Sequence, residues 1–288
     1  MPRIETSRDE FERFHLIDDG SAASRVELIP ERGALVTSFR VGDREVLYLD
    51  PATLVDRTKN VRGGIPVLFP IAGKLANEKY SVDGREYSMK QHGFARNRAW
   101  SVVDKSTTGD ARITLALASD DATRAQFPWD FEVRFTFVLS GATLRIEQRY
   151  ENRSNEPMPL HAGFHPYFVV PDAQKRETRI RTDATRAYDN VRGVTEDFGG
   201  FDLTQSEVDK FLLDHTPRET TLERPDGENV RITMDASFTT VVVWTLAGKD
   251  YVCVEPWTAP GNAMNTGTNL LSVPPGSAHE AAFAIIAV

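Results

Sequence analysis

The chain has 288 residues, 40% of them hydrophobic and 26% charged, and 42 acidic against 34 basic residues leave a net charge of −8. These are ordinary globular values for a chain long enough to bury a sizeable core, and without a basic run or stripe nucleic acid is excluded as an expected partner. A single cysteine, Cys253, allows no intrachain disulfide and fits a reducing compartment. The charged opening MPRIETSRDEFERFHLIDDG lacks the apolar centre of a signal peptide. No run of about 18 apolar residues offers a membrane span. The expectation is a soluble, cytoplasmic protein.

In chain order, strand signals dominate. Residues 25–29 and 34–41 alternate loosely around Pro30 and Gly33, and 45–49 form a short run closed by Asp50-Pro51. Residues 79–82 and 86–89 flank Asp83-Gly84, the two-residue connection of a tight hairpin. Strands follow at 100–104, 112–118 and 131–139. In the last, Phe131, Val133, Phe135 and Phe137 alternate with Glu132, Arg134 and Thr136. That period of two buries one face and wets the other. Residues 144–150 return beside it across Ser140-Gly141-Ala142.

Later strands are expected at 161–164, 229–234, 239–246, 251–254 and 281–288. Three consecutive valines and Trp244 predict that 239–246 is buried on both faces. Helical periodicity is weak. Residues 206–213 read as a short helix with Ser206 as its N-cap, and 121–127 as a single turn. Strands spaced by about 8 to 12 residues predict an all-β sandwich or barrel. No linker or repeat interrupts the pattern, so residues 1–288 read as one domain.

The chemistry is narrowed first by what is missing. There is no glycine-rich phosphate loop and no Gly-x-Ser-x-Gly nucleophile elbow, and Cys253 sits in an apolar strand as a small buried hydrophobe. What remains is a set of histidines and carboxylates near prolines and aromatics. His92 lies in Gln91-His92-Gly93-Phe94-Ala95-Arg96, where Gly93 permits a close backbone approach. His165 precedes Pro166, which places it at a strand end. Glu255 closes an apolar run and precedes Pro256-Trp257. A carboxylate so placed has a raised pKa, which suits acid/base work near neutral pH.

Each has a plainer reading: a structural hydrogen bond for His92 or His165, an arginine partner for Glu255. His161 and His165, four apart, could ligate a metal, but no cysteine or nearby acidic pair completes a shell, so no metal is expected. Arg62 and Arg96 either neutralise buried carboxylates or clamp a polar ligand, since a planar guanidinium suits vicinal hydroxyls or a phosphate. His15, His215 and His279 read as surface residues.

Together these stretches resemble the aldose 1-epimerase (galactose mutarotase-like) family. The likeness is carried by Arg62-Gly63-Gly64-Ile65-Pro66-Val67-Leu68-Phe69-Pro70, His92-Gly93-Phe94-Ala95-Arg96, His165-Pro166-Tyr167-Phe168 and Glu255-Pro256-Trp257, in order over nearly the whole chain. Leu213-Asp214-His215 resembles the family's Asp-His segment. The resemblance implies a large antiparallel β-sandwich, a supersandwich, with a sugar in an open cleft and no cofactor. It implies Glu255 as the base at the anomeric hydroxyl, His165 as the acid at the ring oxygen, and His92 binding the same region. Arg62, Arg96 and Asp214 would hold sugar hydroxyls.

The likeness departs at Val242, where galactose-type members carry a glutamine, and Trp244 is expected to stack on the ring instead. Paired arginines also occur in the hexose-6-phosphate branch, whereas Ile71-Ala72-Gly73-Lys74-Leu75 is closer to the non-phosphorylated one. The expected partner is a small-molecule sugar, met by a monomer or homodimer. Two competing readings stand beside epimerisation. One is a carbohydrate-binding sandwich without turnover. The other is a retaining glycosidase, which needs a second carboxyl beside Glu255.

Overall fold

A computed structural model describes residues 1–216 and 219–288. Two eight-stranded antiparallel sheets dominate it. The first runs in the order Arg179–Arg181, Glu219–Glu223, Val230–Met234, Ala278–Ala287, Thr143–Asn152, Phe131–Ser140, Ala111–Ala118, Ser101–Ser106. The second runs Val194–Asp197, Arg186–Asp189, Glu207–Leu212, Thr240–Leu246, Tyr251–Trp257, Gly163–Phe164, Val67–Leu68, and Tyr167–Val169 also pairs with Tyr251–Trp257. A five-stranded meander, Pro2–Arg8, Glu12–Asp18, Ser24–Ile29, Leu35–Val41 and Arg44–Glu45, precedes them. Just after it, an isolated bridge joins Leu47 to Phe168 of the second sheet, and another joins Leu49 to Gly63.

The core lies between the two large sheets, and sequence alternation puts it there. Phe135 of the first sheet meets Phe164 of the second at 5.4 Å between ring centroids, and Phe283 meets Phe164 at 4.7 Å. Each such ring removes a large apolar area from water, which is the main favourable term in folding. The expected β-sandwich is therefore the observed architecture. The hairpin at Asp83-Gly84 joins Lys79–Val82 to Arg85–Ser88. Asp83 and Gly84 both have positive φ, as a right-twisted two-residue turn requires. Phe131–Ser140 pairs in register with Thr143–Asn152, Leu139 opposite Leu144, and Asp121–Arg124 is the expected single turn.

Residues 206–213 are a correction. They form a strand, Glu207–Leu212, hydrogen-bonded to Ala187–Asp189 on one side and to Thr240–Leu246 on the other. Two flanking strands satisfy its backbone groups, and that tertiary pairing overrides a weak helical propensity. Ser206 therefore caps nothing. The strands Pro2–Arg8, Glu12–Asp18, Arg186–Asp189 and Glu219–Glu223 were not among those expected. His15 and His215 are also buried, not superficial. The His15 ring lies 2.7 Å from Ser7 Oγ inside the meander. Among the described residues no helix is long and apolar enough to cross a membrane.

Candidate active site

The strand Tyr251–Trp257 is buried along its whole length. Its alternate residues Val252 and Val254 enter the sandwich core. Tyr251, Cys253, Glu255 and Trp257 take the opposite face, where Glu255 and Trp257 line an open cleft of about 690 Å³. His165 sits between Gly163–Phe164 and Tyr167–Val169, two short strands that both pair with this one. Its backbone N–H donates to Pro66 O. The interruption at Pro166 thus delivers the imidazole to the carboxylate: His165 Nε2 lies 3.3 Å from Glu255 Oε1. The Trp257 indole N–H donates to the other oxygen, Glu255 Oε2, at 3.1 Å. Gly163 makes room for that indole, since a Cβ there would stand 2.6 Å from Trp257 Cδ1.

His92 reaches the same place from a different part of the chain. It adopts φ 68°, uncommon for a residue with a side chain, and Gly93 follows at φ 66°. A Cβ on Gly93 would lie 2.3 Å from Phe69 O, so the turn requires glycine. The Gly73 N–H donates to His92 Nδ1 at 3.0 Å. That bond leaves Nε2 to carry the proton, next to the Gln91 amide. The His92 and His165 ring centroids are 5.6 Å apart.

Burial sets the electrostatics. Glu255 is 1% exposed and its carboxyl is pushed well above the ordinary carboxylate range, chiefly by desolvation and then by Asp209; Trp257 and Arg96 oppose the shift. Desolvation likewise lowers His165, to about 3, with Arg96 and Arg62 adding to it. His92 is also held well below its ordinary value, by burial first and then by His165. Arg96 is lowered to about 10 by burial and stays charged at neutral pH.

The walls are polar and aromatic. Arg62 stacks on Trp244 at 5.6 Å from the ring centroid, and Arg96 anchors itself on Gln91 O. Glu207 accepts from the Trp244 indole at 3.0 Å, and Asp209 accepts from the Asn190 amide at 2.6 Å. Val242 lies directly opposite Glu255 in the sheet and is apolar and buried, so no side-chain amide occupies that place.

Arg62, His92, Arg96, His165, Trp244 and Glu255 thus line one cleft, which Lys74 also borders. Asp214 does not line it. Its carboxylate accepts from Thr185 N, Thr185 Oγ1 and Arg186 N and ties down a loop. His161 is fully buried with Nε2 on Ala259 O and is not part of the lining. Two lining carboxylates, Glu207 and Asp209, were missed by the sequence reading. The signal was present in the alternation Glu207, Asp209, Phe211 against Val208, Lys210, Leu212, and the helical assignment concealed it.

Three comparisons with known proteins bear on the family and the fold. The family model described as aldose 1-epimerase matches residues 16–285. The solved structure of Slr1438 from Synechocystis sp. PCC 6803 is 36% identical, covers 99% of each chain and superposes with a TM-score of 0.93. A galactose mutarotase-like protein from Clostridium acetobutylicum shares 17% identity over 99% of this chain and 98% of its own, with a TM-score of 0.83, and so shares the fold. A Cenchrus ciliaris protein bearing the name "Putative glucose-6-phosphate 1-epimerase" is 28% identical over 68% of this chain, a stretch that spans 62% of that relative's length.

Proposed function

Since the chain belongs to the aldose 1-epimerase family, we propose that it interconverts the α and β anomers of an aldohexose by opening and reclosing the pyranose ring. The observation that carries this reading is the 3.3 Å contact between His165 Nε2 and Glu255 Oε1 on the floor of an open cleft. The anomeric oxygen O1 and the ring oxygen O5 share one carbon. Two groups this close can therefore reach both oxygens at once.

The resting pair holds one proton. Burial favours the uncharged arrangement, carboxylic acid beside neutral imidazole. Moving the proton across the contact gives carboxylate and imidazolium, which is the reactive arrangement. Glu255 then takes the proton from the O1 hydroxyl as C1=O1 forms. The C1–O5 bond breaks, and O5 receives the proton carried by His165. Rotation about C1–C2 and closure on the other face reverse both transfers, so no cofactor is consumed. Each positioned acid or base contributes a factor on the order of 10² to 10⁴.

His92 donates from Nε2 to the same region and polarises it. Arg62, Arg96 and Asp209 hold hydroxyls, and Trp244 supplies an apolar wall. Asp214, engaged with Thr185 and Arg186, takes no part. We place the activity in the cytoplasm, in keeping with one buried thiol and no disulfide.

A 6-phosphate sugar is the second reading. Arg62, Arg96 and Lys74 border the cleft, and guanidinium groups suit phosphate. The name of the Cenchrus ciliaris relative points the same way. Anomer exchange followed by NMR or polarimetry on glucose, galactose and glucose 6-phosphate tests both readings. Accelerated exchange is expected, and the best substrate identifies the branch. Sugar binding without acceleration would leave a carbohydrate-binding module instead. Release of the aryl group from aryl glycosides would indicate a glycosidase, with Asp209 as the second carboxyl of the cleft.

A further inference from the structure

Cys253 lies beneath the cleft floor, fully buried among Tyr167, Tyr251 and Trp244. Nothing in ring opening uses it. Yet one ligand atom each from Cys253, His165 and Glu255 lie within 4.8 Å of one another, and all three residues are buried. We propose that these three side chains form a binding site for a thiophilic divalent cation such as Zn²⁺, which blocks the cleft against sugar.

The geometry fits such an ion. Two ligands each about 2.0 Å from a tetrahedral Zn²⁺ stand about 3.3 Å apart, which is the spacing of His165 Nε2 and Glu255 Oε1. The thiol, with its ligand atom within 4.8 Å of the other two, has to turn inward to reach its bond length of about 2.3 Å. Sulfur, imidazole and carboxylate form a donor set that borderline and soft ions prefer to Mg²⁺ or Ca²⁺. An outer support is in place, because the Trp257 indole already holds Glu255 Oε2. Three protein ligands leave a fourth position for water, and two of the three, His165 and Glu255, line the cleft. Binding releases two protons to solvent, the thiol proton and the one held by the Glu255–His165 pair, and then occupies the imidazole lone pair and the carboxylate together. Metal binding is independent of the epimerase reading; only the block on turnover rests on it.

Co²⁺ added to chelator-treated, desalted full-length protein reads the site without any turnover. One equivalent should give tetrahedral visible bands and a near-ultraviolet thiolate-to-cobalt band, both lost when Zn²⁺ is added. Cys253→Ala and Cys253→Ser should lose the near-ultraviolet band and bind Zn²⁺ at least about 10-fold more weakly. Their metal-free anomer exchange should be unchanged, and the Zn²⁺ needed to slow it should rise by the same factor. Absence of a thiolate band in the wild-type protein overturns the proposal, as does equal Zn²⁺ inhibition of wild type and both folded variants. A thiolate band in a protein that exchanges no anomers would keep the metal site and remove the epimerase.

Discussion

Two strands of similar alternation, one in each large sheet, put charge to opposite uses. In Thr143–Asn152 the outward residues Arg145, Glu147, Arg149 and Glu151 face water and pair with one another or with Glu280, with half-exposed side chains at Arg149 and Glu147. Such pairs are solvated and contribute about 0–1 kcal/mol each. In Tyr251–Trp257 the outward residues include Glu255, which is nearly sealed from water and whose one close basic neighbour is an imidazole that is itself desolvated. The same alternating pattern gives a soluble wall in one sheet and a reactive floor in the other. The difference is what covers the outward face: nothing in the first case, and the loops carrying His92 and Arg62 in the second.

Breaking the floor should have the largest effect. Glu255→Gln keeps the shape and removes the proton acceptor, so turnover should fall at least about 100-fold with sugar affinity nearly intact; anomer-exchange NMR measures the first and titration calorimetry the second. Next comes the indole that orients the carboxylate. Trp257→Phe deletes one donor to Glu255 Oε2. This should cost about 10-fold in kcat with little change in KM, and the Glu255 pKa should rise further because the donor that favours the charged form is gone.

The walls come third. Arg62→Ala and Arg96→Ala should raise KM more for glucose 6-phosphate than for glucose if the arginines meet a phosphate, and equal losses would assign them to hydroxyls. The solvated wall should respond least. Arg149→Ala removes exposed ion pairs to Glu280 and Glu151; stability in a denaturant titration should move by less than about 0.5 kcal/mol, and exchange should not change.

Much of the contrast was legible in the sequence, for identifiable reasons. The alternation of Phe131, Val133, Phe135 and Phe137 is a one-strand property, and it located the core. Gly93 and Pro166 announced local backbone breaks, and those breaks are what aim His92 and His165. Asp209 was missed although the alternation of Glu207–Leu212 carried a signal, because what decides between strand and helix there is the pairing with the two strands beside it. Asp214 shows the reverse limit: a motif likeness assigned it to the sugar, whereas its position in the loop commits its carboxylate to neighbouring backbone. Burial of His15 likewise depends on the Ser24–Ile29 strand that covers it, which its own neighbours in sequence do not reveal.

The claim that Glu255 and His165 share one proton in a desolvated floor is tested most directly by the pH dependence of kcat/KM for anomer exchange in chelator-treated buffer. His165 is lowered to about 3, so a second proton joins the pair only in strong acid. Glu255 is raised, so the last proton leaves on the alkaline side of the ordinary carboxylate range. The rate should therefore not fall as pH drops from about 7 to 5, although an ordinary histidine titrates near 6.5. It should decline toward alkaline pH and, on the other side, only in strong acid. An acid limb centred near 6.5 would mean that an unperturbed histidine is the working base, and would contradict the account.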